Sequence, residues 1–337
     1  MKKILVALLL WVLIVAAAPA GADIAAHFID VGQADAALIV CGDAAMLIDG
    51  GKPADSRLIV AYLLEQGVER LDFVVASHAH EDHVGGLAGA LARYPAGTVL
   101  APVDTYDSKA FRDFAKYAER QGGGITIPRA GDVFGLGGAT VEVLGPVGQR
   151  PSDNDASIVL RITYGDTAFL FTGDMEWDAE HDLLDAGREI GAQVLKVSHH
   201  GSDTSTAYRF LREVMPSVAV ISVGARNGYG LPAEAVLSRL RDAGVTVYRT
   251  DMHGHIVIRS DGAHIEIETQ KNASLQTNPT ASGTPVETEA AYIGNKNSKK
   301  FHRTSCHTLP AEKNRVLFGS REEAVQSGHS PCGNCKP

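Results

Sequence analysis

Ser77-His78-Ala79-His80-Glu81-Asp82-His83-Val84-Gly85-Gly86-Leu87 puts four metal-ligand residues, His78, His80, Asp82 and His83, within six positions. Imidazole nitrogen and carboxylate oxygen suit zinc, manganese or iron. On a helix His78 and His80 would stand about 200° apart, so their convergence requires a loop. The flanks predict one: Leu71–Ala76 is a short buried-strand pattern, and Val84–Leu87 begins a helix. A strand-to-helix loop lies at the mouth of an α/β sheet, where such folds place their chemistry.

Outward from this loop, residues 23–269 read as two similar halves, each with strands first and strand–helix alternation after. Ala25–Ile29, Ala36–Val40 and Ala45–Ile48 are short strands, and Ser56–Gln66 has helical apolar spacing at Leu58, Ile59, Tyr62 and Leu63. Val99–Pro102 leads to a helix at Lys109–Gln121. The second half opens with Thr140–Leu144, Ser157–Tyr164 and Thr167–Thr172. Val194–Ser198 and Val218–Val223 each lead to a helix, at Ala207–Glu213 and Ala233–Ala243, and three strands from Val245 to Thr269 close the body. Two sheets with helices outside would make an αββα sandwich.

The 337 residues allow one large domain and a small one. Residues 1–22 belong to neither. Lys2 and Lys3 are a basic start, Ile4–Ala18 an apolar run, and Ala20-Gly21-Ala22 a cleavage pattern, which together predict a signal peptide and an exported, periplasmic or extracellular protein. The alternative is an uncleaved anchor. No later segment approaches the ~20 apolar residues of a membrane span. From Tyr292 onward eight Lys/Arg face three Asp/Glu, +5, whereas Asp23–Ala291 carries 21 against 37, −16. So acidic a body does not bind DNA tightly through charge alone. Cys41 stands in an apolar strand pattern and reads as a core residue. Gln270–Ala290, rich in Thr, Asn, Ser, Gln, Pro and Gly, reads as a flexible linker.

A two-metal hydrolase needs more ligands than one loop supplies, including a carboxylate shared by both ions. Three apolar strands end in suitable residues: Leu47-Ile48-Asp49-Gly50-Gly51, Phe169-Leu170-Phe171-Thr172-Gly173-Asp174, and Leu195-Lys196-Val197-Ser198-His199-His200-Gly201-Ser202. Together with Phe28–Ala36, Asn154–Leu160, Val220–Gly224, Asn227-Gly228-Tyr229-Gly230 and Tyr248–Asp251, these stretches resemble the metallo-β-lactamase superfamily, and within it the ComEC-like hydrolase domains. The resemblance implies that His78 and His80 bind one divalent ion, zinc or manganese. Asp82 and His83 bind a second, with His199 as a further ligand from the His199–His200 pair, and Asp174 bridges the two. It further implies that Asp49 orients the cluster, that Asp30, Gln33 and Asp35 lie near the pocket floor, and that the ions activate water for hydrolysis. Asp82, Asp49, Asp30 and Asp35 are then the catalytic carboxylates. A third histidine, usual in the superfamily, is missing from Ser152–Ser157, where Asn154 or Asp153 would substitute. Leu231 stands where ComEC-like chains usually have His, and Ala34 where Gly is usual. The implied reaction is phosphodiester hydrolysis, with DNA as substrate. The rival readings are hydrolysis of another ester or amide, including a β-lactam, and a DNA- or envelope-binding protein with a decayed site.

His302, Cys306, Cys332 and Cys335 form an H-x3-C and a C-x2-C pair, a set suited to tetrahedral structural zinc. So short a segment gains from a metal staple. Residues 291–337 resemble the zinc-binding module of Ada-type DNA repair proteins, with His302 replacing one Cys, which implies contact with nucleic acid. The alternative is a disulfide such as Cys306–Cys332. Nothing in the sequence points to a protein partner.

Overall fold

The computed structural model describes residues 23–148, 152–272, 274–275, 277–278, 292–303, 306, 308–318, 324–325 and 327–335. The expected signal peptide, 1–22, and residues 273, 276 and 279–290 of the expected linker lie outside them. The chain divides into two compact units, Met1–Thr280 and Ala281–Pro337.

In the first unit the order is β1 (Ile24–Phe28), β2 (Ala36–Cys41), β3 (Ala44–Gly50), α1 (Ser56–Glu65), β4 (Leu71–Val75), α2 (Glu81–Val84), α3 (Leu87–Arg93), β5 (Ala96–Leu100), α4 (Lys109–Glu119) and β6 (Ile125–Thr126). Next come β7 (Val133–Leu136), β8 (Ala139–Gly145), β9 (Val159–Tyr164), β10 (Thr167–Phe171), α5 (Trp177–Asp185), β11 (Val194–Lys196), α6 (Tyr208–Val214), β12 (Val218–Ile221), α7 (Glu234–Asp242) and β13 (Thr246–Arg249). A short α8 (Thr250–His253), β14 (Ile256–Ser260) and β15 (Ile265–Thr269) complete it. One sheet has the order β15-β14-β1-β2-β3-β4-β5-β6, the other β13-β12-β11-β10-β9-β8-β7. The expected halves are therefore not closed: β14 and β15 cross to the first sheet, where β14 pairs antiparallel with β1. The expected strands omit β6, β7 and helix α5. The first two are short, and α5 is a mostly charged sequence with little apolar period.

Three buried apolar clusters define four layers. Between the sheets lie Phe28, Ile39, Met46, Val75, Phe169, Phe171 and Val220. The rings of Phe28 and Phe171 stack across this layer at 5.5 Å. Leu38, Leu47 and Val74 on the opposite face of the first sheet meet Ile59, Leu87 and Phe114 from its helices. Leu170, Leu195 and Ala219 likewise meet Leu183, Phe210 and Leu240. The alternation of strand side chains sends one set to each layer, and each large apolar side chain so buried contributes about 1.5–3 kcal/mol. This is the αββα sandwich. Cys41 is buried in it and free.

Residues 270–272, 275 and 277–278, at the start of the expected linker, are tied to this body. The Asn278 side chain donates to Leu237 O at 2.7 Å and accepts from Arg241 at 2.6 Å. Thr277 donates to Val247 O at 2.6 Å. Among the described residues no helix is long and apolar enough to cross a membrane.

The second unit contains β16 (Tyr292–Asn295), β17 (Lys300–Arg303), β18 (Arg315–Phe318) and β19 (Ser330–Pro331), in the order β18-β16-β17-β19. Its core is small, with Phe301, Phe318 and Ala324 buried together.

Candidate metal centre

Parallel pairing sets the site. β3 and β4 run side by side with Ile48 opposite Val75, so Asp49 and Ser77 leave the sheet together. Asp49 accepts from Ser77 N–H and from Ser77 Oγ, both at 2.7 Å. β10 and β11 pair with Phe171 opposite Lys196, which brings Asp174 beside the His199–His200 turn. Ile158 N–H donates to Ser77 O at 2.8 Å, and Asp174 N–H to Ser157 Oγ at 3.0 Å, joining the ends of both sheets. Asp49, His199 and His200 all have left-handed backbones, at φ 58°, 49° and 52°. Non-glycine residues adopt this region at a cost, and such costs concentrate at functional sites.

One carboxylate is the hub. Asp174 Oδ2 lies 3.3 Å from His83 Nε2, 3.8 Å from His199 Nε2, 3.8 Å from His200 Nε2 and 3.9 Å from His78 Nε2. His80 Nδ1 lies 3.0 Å from His78 Nε2. The opposite edges of the rings are held. Asp49 Oδ2 is 2.9 Å from His83 Nδ1. His200 Nδ1 meets Ser222 O at 2.9 Å and Asp35 Oδ1 at 3.2 Å. His199 Nδ1 is 3.2 Å from Glu176 Oε1. Lys196, buried, closes on Asp35 at 2.6 Å.

Electrostatics follow from this crowding. Burial disfavours a charged His83, but Asp174 and Asp49 override it and hold its pKa well above the ordinary value. The same contest, won by Asp174 and Asp35, lifts His200 to about 10. Burial and the neighbouring His83 push His78 well below its usual range. Against burial, the His200 and His83 partners lower Asp82 to about 2.

The donor set fits divalent cations. His83 Nε2, His200 Nε2 and Asp174 Oδ1 are buried without an aligned hydrogen-bond partner in the protein, a state that normally costs stability. Donor atoms of His78, His83 and Asp174 lie within 4.8 Å of one another, as do those of Asp82, His83 and His200. Imidazole and carboxylate donors in two overlapping groups suit zinc, manganese or iron.

The structure sorts the expected residues in three places. The structure places His200, and not His199, beside Asp82 and His83: His200 Nε2 is 3.5 Å from Asp82 Oδ2. The two successive left-handed residues turn the pair so that His199 faces Glu176, while both rings stay within 3.8 Å of Asp174. Asp30 does not join the cluster. It accepts from Gly32 N–H at 3.2 Å within its own turn and faces Lys271 at 3.9 Å. Of the two candidates for the missing histidine, Asp153 reaches His80, with Oδ2 3.5 Å from Nε2, and accepts from Tyr106 OH at 2.7 Å. Asn154 Oδ1 is buried and has no hydrogen-bond partner. Gln33 accepts from Gly224 N–H at 3.1 Å. Sequence reasoning missed the roles of Lys196, Glu176 and Ser77. A lysine inside the apolar run Val194-Leu195-Lys196-Val197 was a readable signal, since a buried cation requires a partner.

In the second unit, His302, Cys306, Cys332 and Cys335 bring their donor atoms within 4.8 Å of one another. All the cysteines are free, so the expected alternative of a Cys306–Cys332 disulfide is not formed. Four N/S donors at this spacing fit tetrahedral zinc.

Residues 29–225 match the metallo-beta-lactamase superfamily, and the chain belongs to it. Residues 275–337 match the metal binding domain of Ada. Among curated relatives, ComE operon protein 3 of Bacillus subtilis (strain 168) is 31% identical over 204 residues, 60% of this chain and 26% of the relative. Competence protein ComA of Neisseria gonorrhoeae is 35% identical over 67% of this chain and 30% of its own length. Recombination protein 2 of Haemophilus influenzae is 32% identical over 71% of this chain and 29% of its own length. The chain thus spans under a third of the length of these relatives.

Proposed function

We propose that residues 23–269 form a metal-dependent hydrolase that cuts phosphodiester bonds in DNA, exported by the signal peptide at 1–22 and joined through 270–290 to a zinc-stapled module at 291–337. The observation that carries the hydrolase reading is the ring of four imidazole Nε2 atoms around Asp174 Oδ2, each within 3.9 Å. His78, His80, Asp174 and His199 would hold one divalent ion, with Asp153 beside His80. Asp82, His83, Asp174 and His200 would hold the other. Such ions lower the pKa of water and draw charge from a phosphoryl oxygen.

The chain's own residues supply the orientation. Asp49, braced by Ser77, fixes the Nδ1 edge of His83, and Asp35 with Ser222 O fixes that of His200. Each ring then presents Nε2 inward, as partners behind metal-binding histidines do. Asp35 is held in turn by Lys196. Relatives named for competence and recombination support DNA as the substrate.

The test uses residues 23–337 with zinc or manganese, offered DNA, a phosphodiester dye ester, a thioester and a chromogenic β-lactam. DNA cleavage is expected, together with about two metal ions per body. Asp174→Ala is expected to lower kcat at least a thousandfold and to reduce bound metal in elemental analysis. Turnover of the thioester or lactam without DNA cleavage would overturn the substrate assignment. Wild-type metal content in Asp174→Ala would overturn the site.

A further inference from the structure

Beside Asp82 opens a cleft of 470 Å³, lined by Gln33, Lys52, Pro53, Glu81, Asp82 and Tyr229 among others. Its size falls in the range of small-molecule sites and suits one nucleotide. Lys52 is the one cation in its lining, and Tyr229 is 78% exposed.

Both walls are anchored through their backbones. The Lys52 wall rests on Gly85 and Gly86. A Cβ on Gly85 would come within 2.4 Å of Pro53 Cδ, and one on Gly86 within 1.9 Å of Gly50 O, so side chains there would push this wall away. Asp55 Oδ2 also accepts the Lys52 N–H at 2.8 Å. The Tyr229 wall is a loop clamped by Asn227. Its amide donates to Gly224 O at 3.0 Å and Leu231 O at 2.6 Å. Its Oδ1 accepts from Tyr229 N–H at 3.1 Å and Leu231 N–H at 3.0 Å. Gly224 is tied to Gln33 on the cleft floor. An exposed aromatic ring and a cation, each carried on an anchored backbone, therefore line one cleft together with Asp82, a carboxylate of the candidate centre.

We propose that this cleft seats one nucleotide of a single-stranded nucleic acid, its base stacked on Tyr229 and its phosphate toward Lys52. A ring stacks on any base face, but in a duplex the stacking of successive base pairs covers that face. Lys52 neutralises a backbone phosphate, and Glu81 repels one from its own side. The inference rests on the nuclease reading above and adds strand preference to it.

Cleavage of an end-labelled oligothymidylate and of a duplex of equal length by the full metal-loaded chain tests it. Tyr229→Ala is expected to raise KM for the single strand roughly tenfold, with the loss falling on KM and not kcat, and Tyr229→Trp to restore it. Lys52→Met is expected to flatten the slope of log KM against log salt by about 0.7. An unchanged KM in Tyr229→Ala, or a wild type that prefers duplex, overturns the cleft and leaves DNA hydrolysis standing. Tyr229-dependent binding of the oligothymidylate without cleavage overturns the nuclease reading and supports the cleft.

Discussion

At Lys196 the chain buries an ammonium where its neighbours Val194, Leu195 and Val197 fill the core. The group is tolerated because Asp35 sits 2.6 Å away and Val197 O accepts from it at 2.9 Å. Removing one partner of a buried pair leaves the other charge uncompensated, at a cost of about 3–5 kcal/mol. Lys196→Met is therefore expected to lose stability of that order in urea unfolding, and Asp35→Asn added to it should recover part. A loss under about 1 kcal/mol, near that of an exposed pair, would show that the bridge does not hold the site. Whether Lys196 had a role was legible from its apolar setting, whereas its partner was not, because Asp35 lies 161 positions earlier. The same limit explains the histidine pair. Two adjacent imidazoles were plain in the sequence, but which one faces Asp82 depends on backbone at φ 49° and 52°. Side-chain chemistry does not encode that backbone. Asp30 and Asp35 looked alike as acidic residues flanking one turn, and only tertiary contacts separate them.

At the scale of elements, α5 and α7 act as a clamp on the segment after the histidine pair. Glu180 of α5, fully buried, accepts the N–H groups of Thr206 and Ala207 at the start of α6, the latter at 3.0 Å. Arg239 of α7 donates to Ser205 O and Thr206 O at 2.6 and 2.8 Å. Burial raises Glu180 from 4.5 to about 7. Between those values the folded chain binds more protons than the unfolded one, so this group's contribution to stability falls as pH rises from 4.5 to 7 and is level above. Glu180→Gln is expected to remove that slope when urea midpoints at pH 5 and pH 8 are compared with wild type. Equal slopes in the two proteins would refute the assignment. The strand-ending ligands and the alternation of strand and helix made the sandwich readable from sequence. Helix α5 escaped notice because Trp177-Asp-Ala-Glu-His-Asp-Leu-Leu-Asp185 shows few apolar positions. Its burial comes from Ala179, Glu180 and Leu183, and a glutamate is an unusual core residue.

For the whole molecule, the two units differ in what stabilises them. The body has three extensive apolar layers, while among the described residues of the second unit only Ile293, Phe301, Phe318 and Ala324 are buried apolar side chains beside its His–Cys set. So small a core needs a staple, and structural zinc contributes folding free energy directly. Cys306→Ser in the full chain is expected to leave the main unfolding transition unchanged and to expose residues 292–335 to trypsin. Protection equal to wild type would mean the module holds without its metal.

β14 lies directly between β1 and β15. The polypeptide enters the first sheet at Ile24 and leaves it at Thr269 on two strands with one neighbour in common. By strand spacing and rise, those points are roughly 17 Å apart. The first and last strands of the sandwich therefore depend on one partner: without β14, β15 at the sheet's edge would lose its ladder and β1 one of its two.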